Sequence, residues 1–167
     1  KIKLYRNHGM KSRDNVHLFG VNSRLDVLNA EVLNFRLKKL KSVIKKRRKN
    51  VSIYQKYLDK RYIKTPQDRD NQYSSYVIFL CLCEKRDQLQ KYLSSKGIQS
   101  LVYYGTPLHK HLASRNIKLN KTSLPISEKL AKKVLALPHH QGLNARQIKS
   151  VCKHVNNFYK RFHASSI

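Results

Sequence analysis

"YSSYVIFLCLCEKRDQLQKYLSSKGIQSLVYY", residues 73–104, decides the fold class of this chain. Its first part, Tyr73 to Cys83, is apolar on both parities and rich in β-forming residues, so a strand covered on both faces is expected. "KRDQLQKYLSSKG" then changes the period from two to three-or-four. That predicts a short helix with Leu89 and Leu93 inward, ended by Gly97 in the left-handed conformation. "IQSLVYY" predicts a second strand, broken by Gly105-Thr106-Pro107. Strand, helix and strand within so few residues point to an α+β domain.

Upstream, "TPQDRDNQ" (65–72) is polar and contains proline, and it predicts a loop. Before it, residues 24 to about 62 predict one long helix or two joined end to end. Leu25, Leu28, Val32, Phe35 and Leu40 keep helical spacing early, and Val51, Tyr54 and Leu58 keep it later. The helix opens from "GVNSRLDVLNAEVL" (20–33), where Ser23 and Asp26 fit a capping box. That leaves Asn22 and Arg24 without a role. Downstream, "LHKHLAS" predicts a short helix starting on Pro107, and "LPISEKLAKKVLAL" a further helix ended by Pro138. Asn144 and Gln147 form a second capping box, for a last helix along Ile148, Val151, Val155 and Phe158. The expected architecture is α+β, a long helix leading into a small sheet covered by helices.

Thirty-six Lys and Arg against nine Asp and Glu give a net charge of +27. Such an excess attracts polyanions. The run "KKLKSVIKKRRKN" repels itself along a helix and needs packing or an anionic partner. A non-catalytic basic module that binds nucleic acid through "KKRRK" is therefore the alternative reading. Lysine is spread over every segment, however, so a solvated surface is expected and nucleic acid is not the expected partner. No apolar run approaches the length of a membrane span. The opening "KIKLYRNHGM" has neither an initiator Met nor a signal-like stretch, so a fragment or processed product is expected. Cys81, Cys83 and Cys152 make no CxxC pair and are expected as core thiols in a reducing, cytoplasmic setting.

Eight histidines invite metal or catalytic readings, but His109 and His111 are two apart and His139 and His140 adjacent. Neither pair has the spacing of HExxH, and no metal site is expected. P-loop, dinucleotide-binding and hydrolase-elbow motifs are absent. Bottom-up, the sequence offers a basic α+β domain with a His- and Tyr-rich patch at "VYYGTPLHKH" and no self-contained catalytic set.

"LYRNHGM", "GVNSRLDVLNAEVL", "GIQSLVYYGTPLHKHLAS" and "LPISEKLAKKVLALPHH" follow one another in that order. Together they resemble the C-terminal half of the DegT/DnrJ/StrS family of sugar aminotransferases, from Lys1 to about Tyr159. The resemblance implies a fold-type I aminotransferase using pyridoxal 5'-phosphate (PLP). It implies transfer of an amino group, usually from glutamate, to a nucleotide-linked keto sugar at a homodimer interface. It divides the chain into 1–23, following a large domain that is not included, 24–64, a long interdomain helix, and 65–167, a small α+β domain.

The same resemblance gives Asn22 and Arg24 a role. The family's Asn reaches the PLP phosphate of the neighbouring subunit with the Arg close by, as suits donors beside a helix N-terminus. Tyr104 and His109 become candidates for substrate contact. Tyr103 and Tyr104 alternate along the expected strand, so only one can face a given pocket, while His109 can equally line a short helix. No catalytic residue is expected within the chain, because the family's Schiff-base lysine lies upstream of "RNHG". Ser75 stands where many members carry a His, and His8, His139 and His140 stay unassigned.

Overall fold

The computed structural model describes residues 1–23, 25–114 and 123–164, the last three as backbone only. The chain divides into two compact units, 1–41 and 42–167.

The first unit holds a one-turn helix α1 (Ile2–Tyr5), a hairpin of β1 (Met10–Ser12) and β2 (Asn15–Val16), and the first part of helix α2 (Val27–Tyr57). Gly9 sits at φ 73° with the Leu18 carbonyl where a side chain would start, so only glycine fits there. Residues 21–23 run beside residues 5–8. The Val21 amide donates to the Tyr5 carbonyl, His8 to Val21, and Ser23 to Arg6 at 2.8 Å.

Helix α2 begins three residues later than the sequence suggests. Its cap is Asp26, whose Oδ1 accepts the Asn29 amide at 2.9 Å while Oδ2 accepts the Asn29 side chain at 2.5 Å. The expected Ser23–Asp26 box does not form, because Ser23 already donates its amide to Arg6 within an extended segment. From there α2 is a single helix rather than two.

The second unit is built on a three-stranded antiparallel sheet in the order β3 (Ile63–Lys64), β4 (Phe79–Cys83), β5 (Val134–Leu137). Helices α3 (Arg86–Ser95) and α5 (Ala145–Ala164) join the later part of α2 over one face of it. On β4, Phe79, Cys81 and Cys83 are fully buried and Leu80 and Leu82 half-buried. Cover is thus complete on one face only, not on both as expected. Tyr54 of α2 stacks on Phe79 at 4.8 Å and donates its hydroxyl to the Pro138 carbonyl at 2.7 Å. Leu89 and Leu93 of α3 and Ile148, Val151, Val155 and Phe158 of α5 complete this core.

The expected stop of α3 and the expected start of α5 both hold. Gly97 lies at φ 70°, and Ile98 N–H to Leu93 with Gly97 N–H to Ser94 closes α3. Asn144 and Gln147 exchange reciprocal bonds of 2.9 Å at the start of α5.

Four further expectations fail. The strand 73–83 is extended-paired only from Phe79, since Tyr76 sits at φ 45° and Arg48 takes the Ser74 carbonyl. The helix expected through Leu137 stops at Lys133, and Val134–Leu137 become β5, paired with β4 from Leu82↔Val134 to Phe79↔Leu137. Four apolar residues before a proline suit a helix end or a buried strand equally, and pairing with β4 decides between them. The strand expected over 98–104 shrinks to one bridge, Leu101↔Ala136, because β5 is short and Pro138 offers no amide. Finally, α4 spans Pro125–Lys133, but "LHKHLAS" forms two 3-10 turns, Leu108–Lys110 and Leu112–Ser114, instead of a helix.

Candidate functional site

In the first unit Asn22 lies on the extended segment before α2, in a bridge with Asn7, and its side chain is exposed. Arg24 lies outside the described residues. The α2 N-terminus does not stand open beside Asn22, for the Asp26 carboxylate occupies it and the Asn29 bonds hold that carboxyl below its usual range. An anion near Asn22 would meet an amide donor but not a bare helix end.

In the second unit Tyr104 and His109 line one groove of about 980 Å³, between the 104–114 loop and α4. The groove is mostly apolar, with Leu108, Leu124 and Leu130 on its walls. Tyr104 is 76% exposed and presents its ring to solvent. Tyr103 lines a separate cavity of about 610 Å³ with His139 and His140. The two tyrosines therefore do serve different surfaces, although no strand directs them.

His109 is placed differently from Tyr104. It is buried, and its Nε2 lies 3.0 Å from Oε1 of Glu128 on α4. The same carboxylate oxygen accepts the Leu124 amide at 3.3 Å and pairs with Lys110 at 3.5 Å. The His109 bond, ahead of the Leu124 amide, holds the Glu128 carboxyl below its ordinary range. Glu128 was missed in the sequence. Its signal was a proline opening a helix with an acid in the first turn, which also marks an ordinary helix start.

A second polar cluster fixes the segment that carries Ser75. Arg48 pairs with Asp68 at 2.7 Å, donates to the Ser74 carbonyl at 2.9 Å and lies 4.1 Å over the Tyr73 ring. The Tyr76 hydroxyl donates to Asp68 at 2.8 Å. That bond, with Arg48, holds the Asp68 carboxyl down to about 2. Arg47 donates to Gln141 at 3.3 Å. Two of the four cations in "KKRR" are thus occupied within the fold, while Lys45 and Lys46 stay exposed.

Cys81, Cys83 and Cys152 are free and buried, and burial pushes all three thiols up, Cys83 and Cys152 to about 12. None is a nucleophile at neutral pH. Among the described residues no group of three His, Cys, Asp or Glu could hold a metal ion, and no helix is long and apolar enough to cross a membrane. His139 is half-buried against Phe79, and burial lowers its pKa.

Comparison with known proteins places this geometry. The model of the DegT/DnrJ/EryC1/StrS aminotransferase family matches residues 1–156. The pleiotropic regulatory protein of Geobacillus stearothermophilus is 32% identical over 97% of this chain and 44% of its own length. The UDP-2-acetamido-2-deoxy-3-oxo-D-glucuronate aminotransferase of Pseudomonas aeruginosa is 32% identical over 93% of this chain and 43% of its own. DesV of S. venezuelae, solved in complex with a ketimine intermediate, superposes with a TM-score of 0.88 at 30% identity, over 94% of this chain and 43% of that one. The chain spans less than half the length of each of these relatives. The family match and these relatives agree with one assignment: the chain belongs to the DegT/DnrJ/EryC1/StrS aminotransferase family.

Proposed function

We propose that this chain is the C-terminal part of a PLP-dependent aminotransferase that moves an amino group, usually from glutamate, onto a nucleotide-linked keto sugar, in cell-surface polysaccharide or amino-sugar biosynthesis. The observation that carries the reading is the continuous family match over residues 1–156, with relatives named as sugar transaminases. PLP, when bound, supplies the electron sink for the transfer. The residues here fit a contributing role around it. Asn22 offers an exposed, neutral amide donor to the cofactor phosphate of a second subunit in a homodimer, with Arg24 beside it in sequence. Tyr104 offers an exposed ring and hydroxyl to the sugar nucleotide, and His109 backs the same groove. The lysine that carries the cofactor is expected upstream of Lys1, so the 167-residue chain alone is expected to be inactive.

The occupied Arg47 and Arg48 weigh against the alternative of a nucleic-acid module acting through "KKRRK". The test uses the protein that includes the upstream segment, glutamate and a panel of keto-sugar nucleotides. Amino-sugar formation is expected. Asn22→Asp, which sets a carboxylate against the phosphate, should weaken PLP retention by roughly 10–100-fold. No product from any member of the panel, with unaltered PLP retention in the variant, would overturn the reading.

A further inference from the structure

We infer that His109 and Glu128 form a latch that sets the 104–114 loop against α4, which makes His109 a positioning residue and Tyr104 the ligand-facing one. The loop is wired internally. Ser114 Oγ donates to the Leu108 carbonyl at 2.7 Å, the Lys110 amide to Pro107, and His111 lies 3.3 Å from the Thr106 carbonyl. None of these bonds reaches α4. Among the described residues, the hydrogen bonds and ion pairs that join the loop to α4 all end on one atom, Oε1 of Glu128.

The two partners differ in how they are held. The His109 side chain is 5% exposed and Lys110 48%, so His109 makes the inner, water-shielded tie and Lys110 the screened outer one. Glu128 is also anchored to the backbone, because Oε1 accepts the Leu124 amide at the start of its own helix. The carboxylate thus fixes the helix start and the loop at once, and the distance between them sets the mouth of the 980 Å³ groove. With Nε2 directed to Glu128, the buried imidazole cannot also present that nitrogen to a ligand. Of these two, Tyr104, five residues earlier and 76% exposed, is the one left to do so.

The latch stands on this geometry. Its bearing on ligand binding rests on the proposed reading of the groove, so the test needs no ligand. Hydrogen exchange and imidazole nitrogen NMR on the 167-residue chain read it directly. Wild type should show His109 carrying its proton on Nε2. Glu128→Ala should speed exchange over 105–114 by about tenfold or more while leaving α5 unchanged, as for a local opening. His109→Ala should do the same, and the double variant should be no faster than either single one. Glu128→Gln keeps an acceptor oxygen and should restore most of the protection, whereas Glu128→Met, which fills similar space without an acceptor, should not. Should Glu128→Ala fail to fold, the Glu128→Gln and His109→Gln variants carry the comparison. Unchanged exchange in both alanine variants, additive effects in the double variant, or a neutral His109 with its one proton on Nδ1 would each overturn the latch. None of those results would bear on the family assignment.

Discussion

The two halves of helix α2 share a backbone and a basic composition, yet they live in different surroundings. Over 27–41 the large apolar residues face water: Leu28 is 80% exposed, Phe35 58% and Leu37 65%. Over 42–57 Val51 and Tyr54 are sealed, at 2% and 0%, and the large apolar residue left most open there is Tyr57 at 39%. The Lys39 ammonium lies over the Phe35 ring, at 4.2 Å. Apolar residues on several sides of a helix imply cover on several sides. The later half has found its cover inside the second unit. Among the described residues the earlier half has no comparable cover.

The largest effect should fall on the sealed half. Tyr54→Ala removes the Phe79 stack and leaves the Pro138 carbonyl without its donor. It should cost about 3–5 kcal/mol, read from the denaturant midpoint. Phe35→Ala in the same chain should stay within about 0.5 kcal/mol. In the longer protein that second value should rise to about 2 kcal/mol or more if Phe35 is covered there.

A smaller loss is expected at Asn50, 6% exposed, whose side-chain amide donates to the His140 carbonyl at 3.0 Å. Asn50→Leu should cost about 0.5–1.5 kcal/mol, because the His140 carbonyl loses this donor while keeping the Leu143 amide at 3.2 Å. A neutral result would mean that the 140–143 turn relaxes to water.

The two helix caps sharpen the contrast further. Asn144→Ala should lower global stability by about 1 kcal/mol, for α5 belongs to the core. Asp26→Ala should change it by at most about 0.5 kcal/mol, because the cap serves the exposed half. Equal losses would show that both halves of α2 unfold as one unit.

The smallest effect is a titration. Asp68 sits low, at about 2, through the Tyr76 hydroxyl and Arg48. Its contribution to stability is therefore fully present above the ordinary carboxylate range near 4 and lost as pH falls through about 2. Chemical shifts of Tyr73–Tyr76 should hold at pH 3 and move only below it. In Arg48→Gln that movement should begin at a higher pH.

Much of this arrangement was legible in the sequence where a local rule acts alone. Gly97 and the Asn144–Gln147 box ended and started helices as expected, and the apolar spacing of α5 named its buried face. Legibility failed where partners far apart decide the outcome. Val134–Leu137 become a strand with β4 beside them, and Tyr73–Tyr76 leave the sheet where Tyr76 turns to φ 45° and Arg48, some 26 residues away, takes the Ser74 carbonyl. At the candidate site the sequence named the groove through Tyr104 and His109 but not their different duties. Exposure of one and capture of the other by Glu128, 19 residues on, follow from tertiary packing.

Hydrogen exchange along α2 in the dilute 167-residue chain tests the central contrast most directly. The account predicts amides over 42–57 protected close to the global unfolding limit, and those over 27–41 exchanging about a hundredfold faster or more. Uniform protection from Val27 to Tyr57 would contradict it, for then the exposed apolar half would need no covering partner to be stable.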